Sequence, residues 1–344
     1  MKSKIFKKLL IIITIVLLVI IAIVYFVYTI YFSELSDDEE TEILLPPNLY
    51  SSSQYVIGTG NKLGTYFPAG QILTNWFNDN LEKNKGGFLA YQTNGSIDNI
   101  NLLQKRLIQF GMSESRVAKE AYCMNNSIRV VWPLWFDIVH IVTPPKDIMP
   151  DYVFPGAEEA FLGQKSSSTE RTSNEILTAF NIILKTKSII PMDSVIDKVA
   201  YGKLGFAMIQ AGIPNNTVSN AIVFYRCRLY SFSEEQLQLI RKNVSTYVDF
   251  KIPAGYYEEN QPEIKTFALP NVMVSTTDVS PEVVELFVDL LISACTRLKN
   301  RFKAFETVPS DINEVVKILE NTNVPLHEGT KRWLEKRIKQ KETK

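Results

Sequence analysis

The chain has 344 residues, 46% hydrophobic and 22% charged, which excludes a disordered protein and leaves room for about two domains with cores of their own. Lysine plus arginine equal aspartate plus glutamate at 37 each, so there is no basic excess of the kind that gathers nucleic acid. Three widely spaced cysteines, Cys123, Cys227 and Cys295, fit neither a disulfide framework nor a zinc site and read as small buried hydrophobes, while two histidines, His140 and His327, are too few for a His-rich metal site. No metal, cofactor or enzymatic activity is expected.

Leu9 to Phe32 is an almost unbroken apolar run, with Thr14 and Thr29 the clearly polar exceptions. At about 1.5 Å per residue it exceeds the roughly 30 Å hydrocarbon core, so residues 9–32 are expected to anchor the chain in a membrane. Lys2, Lys4, Lys7 and Lys8 precede the run and Asp37 to Glu42 follow it. That asymmetry keeps residues 1–8 in the cytoplasm and places the body outside the membrane. The long apolar stretch, with no small-x-small cleavage site, favours an uncleaved anchor over a signal peptide. Residues 33–53 turn acidic, then proline- and serine-rich, and read as a solvated tether.

The body opens with Tyr55 to Ile57 as a buried strand, then Gly58, Gly60 and Gly64 in a turn, then Pro68 in a first helical turn followed by Ile72, Leu73, Trp76 and Phe77 at helical spacing. A phosphate-binding P-loop would need Gly-Lys-Ser/Thr, and here Lys62 is followed by Leu63. The glycines are also spaced one residue too far apart for a dinucleotide fingerprint. What remains is an anion cradle, in which loop amides and the hydroxyls of Thr59, Thr65 and Tyr66 would hold a carboxylate or phosphate, set against a plain structural turn.

Phe88 to Gln92 reads as a second strand, and Thr93-Asn94-Gly95-Ser96 leads into a helix with Ile97, Ile100, Leu103 and Leu107 on one face and Ser96 as its cap. Ile108 to Ser113 is a third strand, ending at Glu114-Ser115. This alternation predicts an α/β domain with a largely parallel sheet, whose ligand lies at the carboxyl ends of the strands. Ser127 to Val142 is a β-rich run broken by Pro133 that could pass between two lobes. Ser166 to Thr169 then opens a helix carrying Ile176, Leu177, Phe180, Ile183 and Leu184, either as a second ligand-facing helix start or as an ordinary serine-rich cap. Gly202 to Pro214 is a strand feeding a turn, Lys251 to Tyr257 and Thr266 to Ser275 are extended, Val283 to Leu291 and Ile312 to Glu320 are helical, and Trp333, Leu334 and Ile338 lie on a basic tail.

The ordered set IGTGNKLGTYFPAG, TNGSIDNINLLQ, GKLGFAMIQAGIP, KIPAGYY, ALPNVMVSTTDV and VPLHEGTKRW resembles the TAXI family of solute receptors for tripartite ATP-independent periplasmic (TRAP) transporters, over Tyr55 to about Glu335. The resemblance implies a type II periplasmic-binding-protein fold, α/β, with two lobes joined by a hinge. Lobe I would comprise residues 54–143 and about 265–336, lobe II residues 144–264, with 337–344 as the tail. It implies a receptor that captures a small organic acid or amino acid and hands it to TRAP membrane subunits, the alternative being a sensor or scaffold that keeps the fold and signals through its anchor or a partner. The ligand contacts carried over are Thr59, Gly60, Thr65, Tyr66, Ser96, Glu114 and Ser115 from lobe I, and Ser167, Thr169, Gln210 and Gly212 from lobe II. Where the family usually has glutamine, this chain has Glu114; a carboxylate facing the ligand would favour an amino acid over a dicarboxylate.

Overall fold

A computed structural model describes residues 54–82, 86–149, 154, 158–243 and 246–342. The expected membrane anchor and tether lie outside the described residues. Among the described residues no helix is long and apolar enough to cross a membrane.

The first strand, β1 (Gln54–Gly58), pairs in parallel with β2 (Gly87–Tyr91) and β3 (Phe110–Glu114). Three helices connect or follow them: α1 (Tyr66–Asn80), α2 (Ser96–Gln104) and α3 (Ser115–Met124). A long strand, β4 (Ile128–Thr143), leaves this unit. The second unit holds β5 (Glu159–Phe161), α4 (Ser168–Ala179), β6 (Thr186–Lys187), α5 (Val195–Ala200), β7 (Phe206–Ala211) and α6 (Asn216–Val223). After β8 (Arg228–Leu229), α7 (Glu234–Asn243) and β9 (Val248–Ile252), the chain returns along β10 (Ile264–Thr276). It ends in α8 (Pro281–Leu298), α9 (Ile312–Asn321) and α10 (Glu328–Glu342).

The strand order is β2-β1-β3-β10-β4-β7-β5-β6, with β8 beside β4 and β9 beside β10. β5 runs parallel to β6 and β7, so each end of the sheet is a parallel α/β unit, as the helix and strand alternation predicts. Between them β4 and β10 run antiparallel to each other and reach into both units, giving the two-lobed α/β plan of a periplasmic-binding protein. The expected break at Pro133 does not occur. β4 continues through it, opposite Val272, and a register irregularity between Pro270 and Val272 absorbs the missing donor.

Lobe I closes over aromatic rings: Phe77, Phe88, Phe110 and Phe287 pack together, with Phe110 and Phe287 stacked at 4.1 Å. Burial of rings this large, at about 25 cal/mol per Å² of apolar surface, is the main force holding α1 and α8 to the sheet. Lobe II has apolar clusters on both faces of its strands, one around Phe206, Met208, Phe232 and Phe267 and one around Val195, Val199, Ile209 and Val218. The basic tail is the second half of α10, fastened to α8 where Trp333 Nε1 donates to Asp289 Oδ1 at 2.7 Å. Cys227 and Cys295 are buried as expected of small hydrophobes, whereas Cys123 is exposed.

Three helix boundaries differ from the sequence reading. α2 ends before Leu107, because Arg106 takes a positive φ of 60°. α4 ends at Ala179, with Asn181 at φ 54°, which leaves Ile183 outside the helix and exposed. The residue that caps α2 is Gly95, not Ser96. With φ at +122°, a backbone conformation that L side chains rarely adopt, this position favours glycine.

Candidate functional site

The carboxyl ends of β5 and β7 and the loops that follow β1 and β2 meet at one cleft between the lobes. Its walls are Gly60, Asn61, Gly64, Thr65 and Tyr66 with Asn94 and Gly95 on the lobe I side, and Phe161, Gly163, Gln164, Ser167 to Thr169, Met192 and Met208 to Gln210 on the lobe II side, with Asp137 of β4 between them. The enclosed volume is about 70 Å³. Since a water needs roughly 10–15 Å³ measured this way, the cavity suits a solute of a handful of heavy atoms.

Six of the expected contact residues line this cleft: Gly60, Thr65, Tyr66, Ser167, Thr169 and Gln210. The others do not. Thr59 is fully buried and its hydroxyl donates to Tyr91 O at 2.6 Å. Ser96 is buried at the first turn of α2, where its Oγ accepts from Glu114 N at 3.0 Å. Ser115 opens α3 away from the cleft lining, and Gly212 lies behind Thr65, its N–H donating to Thr65 Oγ1 at 2.8 Å.

Glu114 requires the main correction. It does not face a ligand: it is fully buried, caps α3 by accepting from Arg116 N, and takes two further hydrogen bonds from the Arg116 guanidinium, at 2.8 and 3.0 Å. A carboxylate held by a bidentate arginine has its hydrogen-bonding capacity taken up inside the protein, so it is not placed to contact a solute directly. Arg116 in turn reaches across the lobes. Its Nη1 donates to Glu175 Oε2 of α4 at 2.6 Å, and its guanidinium lies 4.6 Å over the ring of Tyr247, whose hydroxyl donates to Glu175 Oε2. Burial opposes charge on Arg116, but Glu114 and Glu175 outweigh it and raise the guanidinium further above its ordinary value. Arg171 pairs with Glu175 and with Glu120 of the opposite lobe.

Of the three hydroxyls expected to form an anion cradle, two are already committed: Thr59 donates to Tyr91 O and Tyr66 to Asn271 Oδ1, each at 2.6 Å, while Thr65 Oγ1 accepts from Gly212 N and keeps its own proton. The start of α4 is capped by side chains: Ser167 Oγ accepts from Glu170 N, and Glu170 Oε2 accepts from Ser166 N, the residue before the cap. This is the serine-rich cap that the sequence allowed as the plain alternative. On the other wall Asp98 Oδ2 accepts from Asn94 N, so acidic groups serve both of these helix starts.

Two buried groups stand out in the cleft: Asp137, which the sequence reading did not single out, and Gln210, which it did. Asp137 is 4% exposed, and Trp135 Nε1 donates to its Oδ1 at 3.2 Å. Asn271 Nδ2 lies beside the carboxylate, yet it meets no acceptor with full hydrogen-bond geometry. Among the described residues no lysine or arginine pairs with Asp137, and burial pushes its carboxyl up to about 7, with Glu114 adding to the rise. Gln210 donates through Nε2 to Ser168 Oγ at 3.3 Å, while its buried Oε1 has no partner. The signal for Asp137 was present in the sequence as a single acid inside the apolar run WPLWFDIVHIV. Nothing in the chain order places Gln210 beside it; the pairing of Val139 with Gln210 does so.

The other chemistry-bearing residues do not assemble. His140 is buried between Ile209 O and the Tyr257 hydroxyl at 3.3 and 2.9 Å, and burial holds its pKa down to about 4. His327 accepts from Gly329 N and lies against Thr276 O near the start of α10. Among the described residues no group of His, Cys, Asp and Glu could hold a metal ion.

Solved structures of similar fold include a protein of Bordetella bronchiseptica RB50, at TM-score 0.50 and 11% identity over 75% of this chain and 76% of that one. An ABC transporter protein from Parabacteroides distasonis gives TM-score 0.43 at 11% identity, over 81% and 83%. The ligand binding component of an ABC-type import system from Staphylococcus aureus gives 0.41 at 11%, over 82% and 84%. At such identities the likeness concerns the fold alone. The sequence pattern of one family matches residues 57–336, nearly all of the two-lobed body, and on that match the chain belongs to the NMT1-like family.

Proposed function

We propose that this protein is a solute-binding receptor that captures a small organic acid or amino acid between its lobes and delivers it to a membrane transporter. The observation that carries the reading is the cleft itself: a cavity of about 70 Å³ at the carboxyl ends of strands from both lobes, lined by polar groups and by no nucleophile paired with a base. The finer reading is a receptor held at the outer face of the cytoplasmic membrane by residues 9–32 and serving a TRAP-type transporter. The apolar run, the lysines before it and the motif resemblance support it.

A ligand that binds only the native state raises thermal stability, so a screen of small carboxylates and amino acids against the purified chain should yield at least one concentration-dependent shift. No shift from any solute would sink the receptor reading. Protease added to intact spheroplasts should digest the body from Gln54 onward, and protection of that body would refute the topology. Affinity capture from detergent-solubilised membranes should recover transporter subunits of the TRAP type. Recovery of a signalling protein in their place would favour the sensor alternative.

A further inference from the structure

We infer that Asp137 and the Oε1 of Gln210 select a solute bearing a protonated aliphatic amine; the inference rests on the receptor reading and names the ligand class of the same cleft. The residues lining the cavity include one acid and no lysine or arginine. Asp137 and Gln210 share one face of the sheet: Val139 pairs with Gln210, and Asp137 lies two residues before Val139 on the same side of β4. They are therefore diagonal neighbours, roughly 7–8 Å apart at the backbone, and polar side chains at that spacing can converge on one group.

Both present acceptors. Gln210 gives one of its two amide N–H groups to Ser168 and keeps a buried oxygen without a partner, which costs free energy in the empty protein and is recovered when a donor arrives. Asp137 is surrounded by neutral donors, Trp135 and Asn271, and by the backbone of Gly212; the titratable groups facing it are Tyr66 from α1 and Glu114 from the end of β3. Glu114 is paired with Arg116, and Tyr66 spends its proton on Asn271. Among the described residues no cation pairs with Asp137, so the counter-charge of its ionised form is left for the ligand to supply. An ammonium group supplies that charge together with three donors. A hydroxyl in its place supplies neither the charge nor enough donors.

The test uses near-isosteric probes on the full chain in detergent micelles: alanine, lactate, which exchanges the ammonium for a hydroxyl, isopropylamine, which lacks the carboxylate, and succinate. Calorimetry should show alanine binding at least about tenfold tighter than lactate, with isopropylamine measurable and succinate weakest, a difference within reach of one charge-assisted contact. Asp137→Asn should bring alanine and lactate within about threefold of each other, and Gln210→Leu should weaken both amines severalfold. Alanine affinity should rise between pH 6 and pH 8 in the wild type as Asp137 ionises and stay flat in Asp137→Asn. Lactate binding as well as alanine, or an alanine preference unchanged in Asp137→Asn, would overturn the inference while leaving a solute receptor in place. If none of the four binds, a wider solute screen decides: a hit without an amine overturns the inference, a hit with one is put through the same two substitutions, and no hit at all removes the receptor reading along with it.

Discussion

At the scale of single residues, charge burial sets the expected behaviour. Asp137 has its folded-state pKa raised from 3.8 to about 7, first by burial. A group raised in this way contributes stability that is full below its unfolded value and lost as pH rises through 7, so the empty protein loses stability from this residue between about pH 4 and pH 7. The upper limit is about 4 kcal/mol, from roughly three pKa units. Asp137→Asn keeps the shape and cannot ionise. It should therefore stabilise the empty protein at pH 8 and not below pH 4, and equal differences at pH 4 and pH 8 in thermal denaturation would refute this. His140 works in the opposite sense, its stabilisation lost as pH falls from 6.5 through 4, but it is common to both proteins and cancels in the difference. Arg116→Met should cost about 3–5 kcal/mol, because it strands the buried Glu114 carboxylate, and adding Glu114→Gln should recover much of that loss in denaturant midpoints. Glu114 and Arg116 stand two apart in the sequence, and that spacing alone cannot say whether the acid meets the arginine or the ligand. Burial decides it.

At the scale of elements, the parts that local pattern controls were legible and the pairings were not. The first three strands, the apolar stripe of α1, the start of α4 at the serine run and the helical run of α8 all follow from period and capping, which act within a few residues. The boundary at Arg106 was hidden, since arginine seldom takes a positive φ, whereas Asn181 is a residue type that favours this conformation at helix ends and was a missed stop signal. Pro133 was read as a break because proline lacks a donor; only the long-range partner β10, with its own irregularity at Pro270, shows how the strand passes through. α3 and α7 went unread because each is only ten residues long, and tertiary packing holds them. The serine loop before α4 gives an element-scale prediction. Ser167→Ala removes the acceptor for Glu170 N and should lower stability by about 1 kcal/mol. It should leave solute affinity within a few-fold, since its hydroxyl serves the helix; a loss of binding much larger than the loss of stability would reassign that hydroxyl to the ligand.

At the scale of the whole molecule, the lobes are joined by more than the crossing strands. On one side of the cleft Arg116 bonds Glu175 and Arg171 bonds Glu120; on the other, Thr65 accepts from Gly212 N, and Asn215 and Thr217 donate to Leu63 O at 3.3 Å. These contacts close the lobes around the cavity without using Asp137 or the Gln210 oxygen, so closure and recognition are carried by different groups. The Arg171–Glu120 pair is largely solvated and should contribute little, about 0–1 kcal/mol, and less at high salt. Glu175 is the better lever, because it also accepts from Tyr247, and because Glu175→Gln leaves Arg116 still compensated by Glu114. Burial opposes ionisation of Glu175, but Arg116, Tyr247 and Arg171 together hold its carboxyl below the ordinary value. Its contribution to stability is therefore present above the unfolded pKa and lost as pH falls through the lower folded value. Glu175→Gln at neutral pH should shift the lobes toward an open population. Solute affinity then falls by the fraction that remains closed, while the preference for alanine over lactate is unchanged. Small-angle scattering should show a larger radius of gyration for the empty variant and recovery of the wild-type value at saturating solute. An unchanged radius together with an unchanged affinity would show that the ion pairs follow closure and do not hold it.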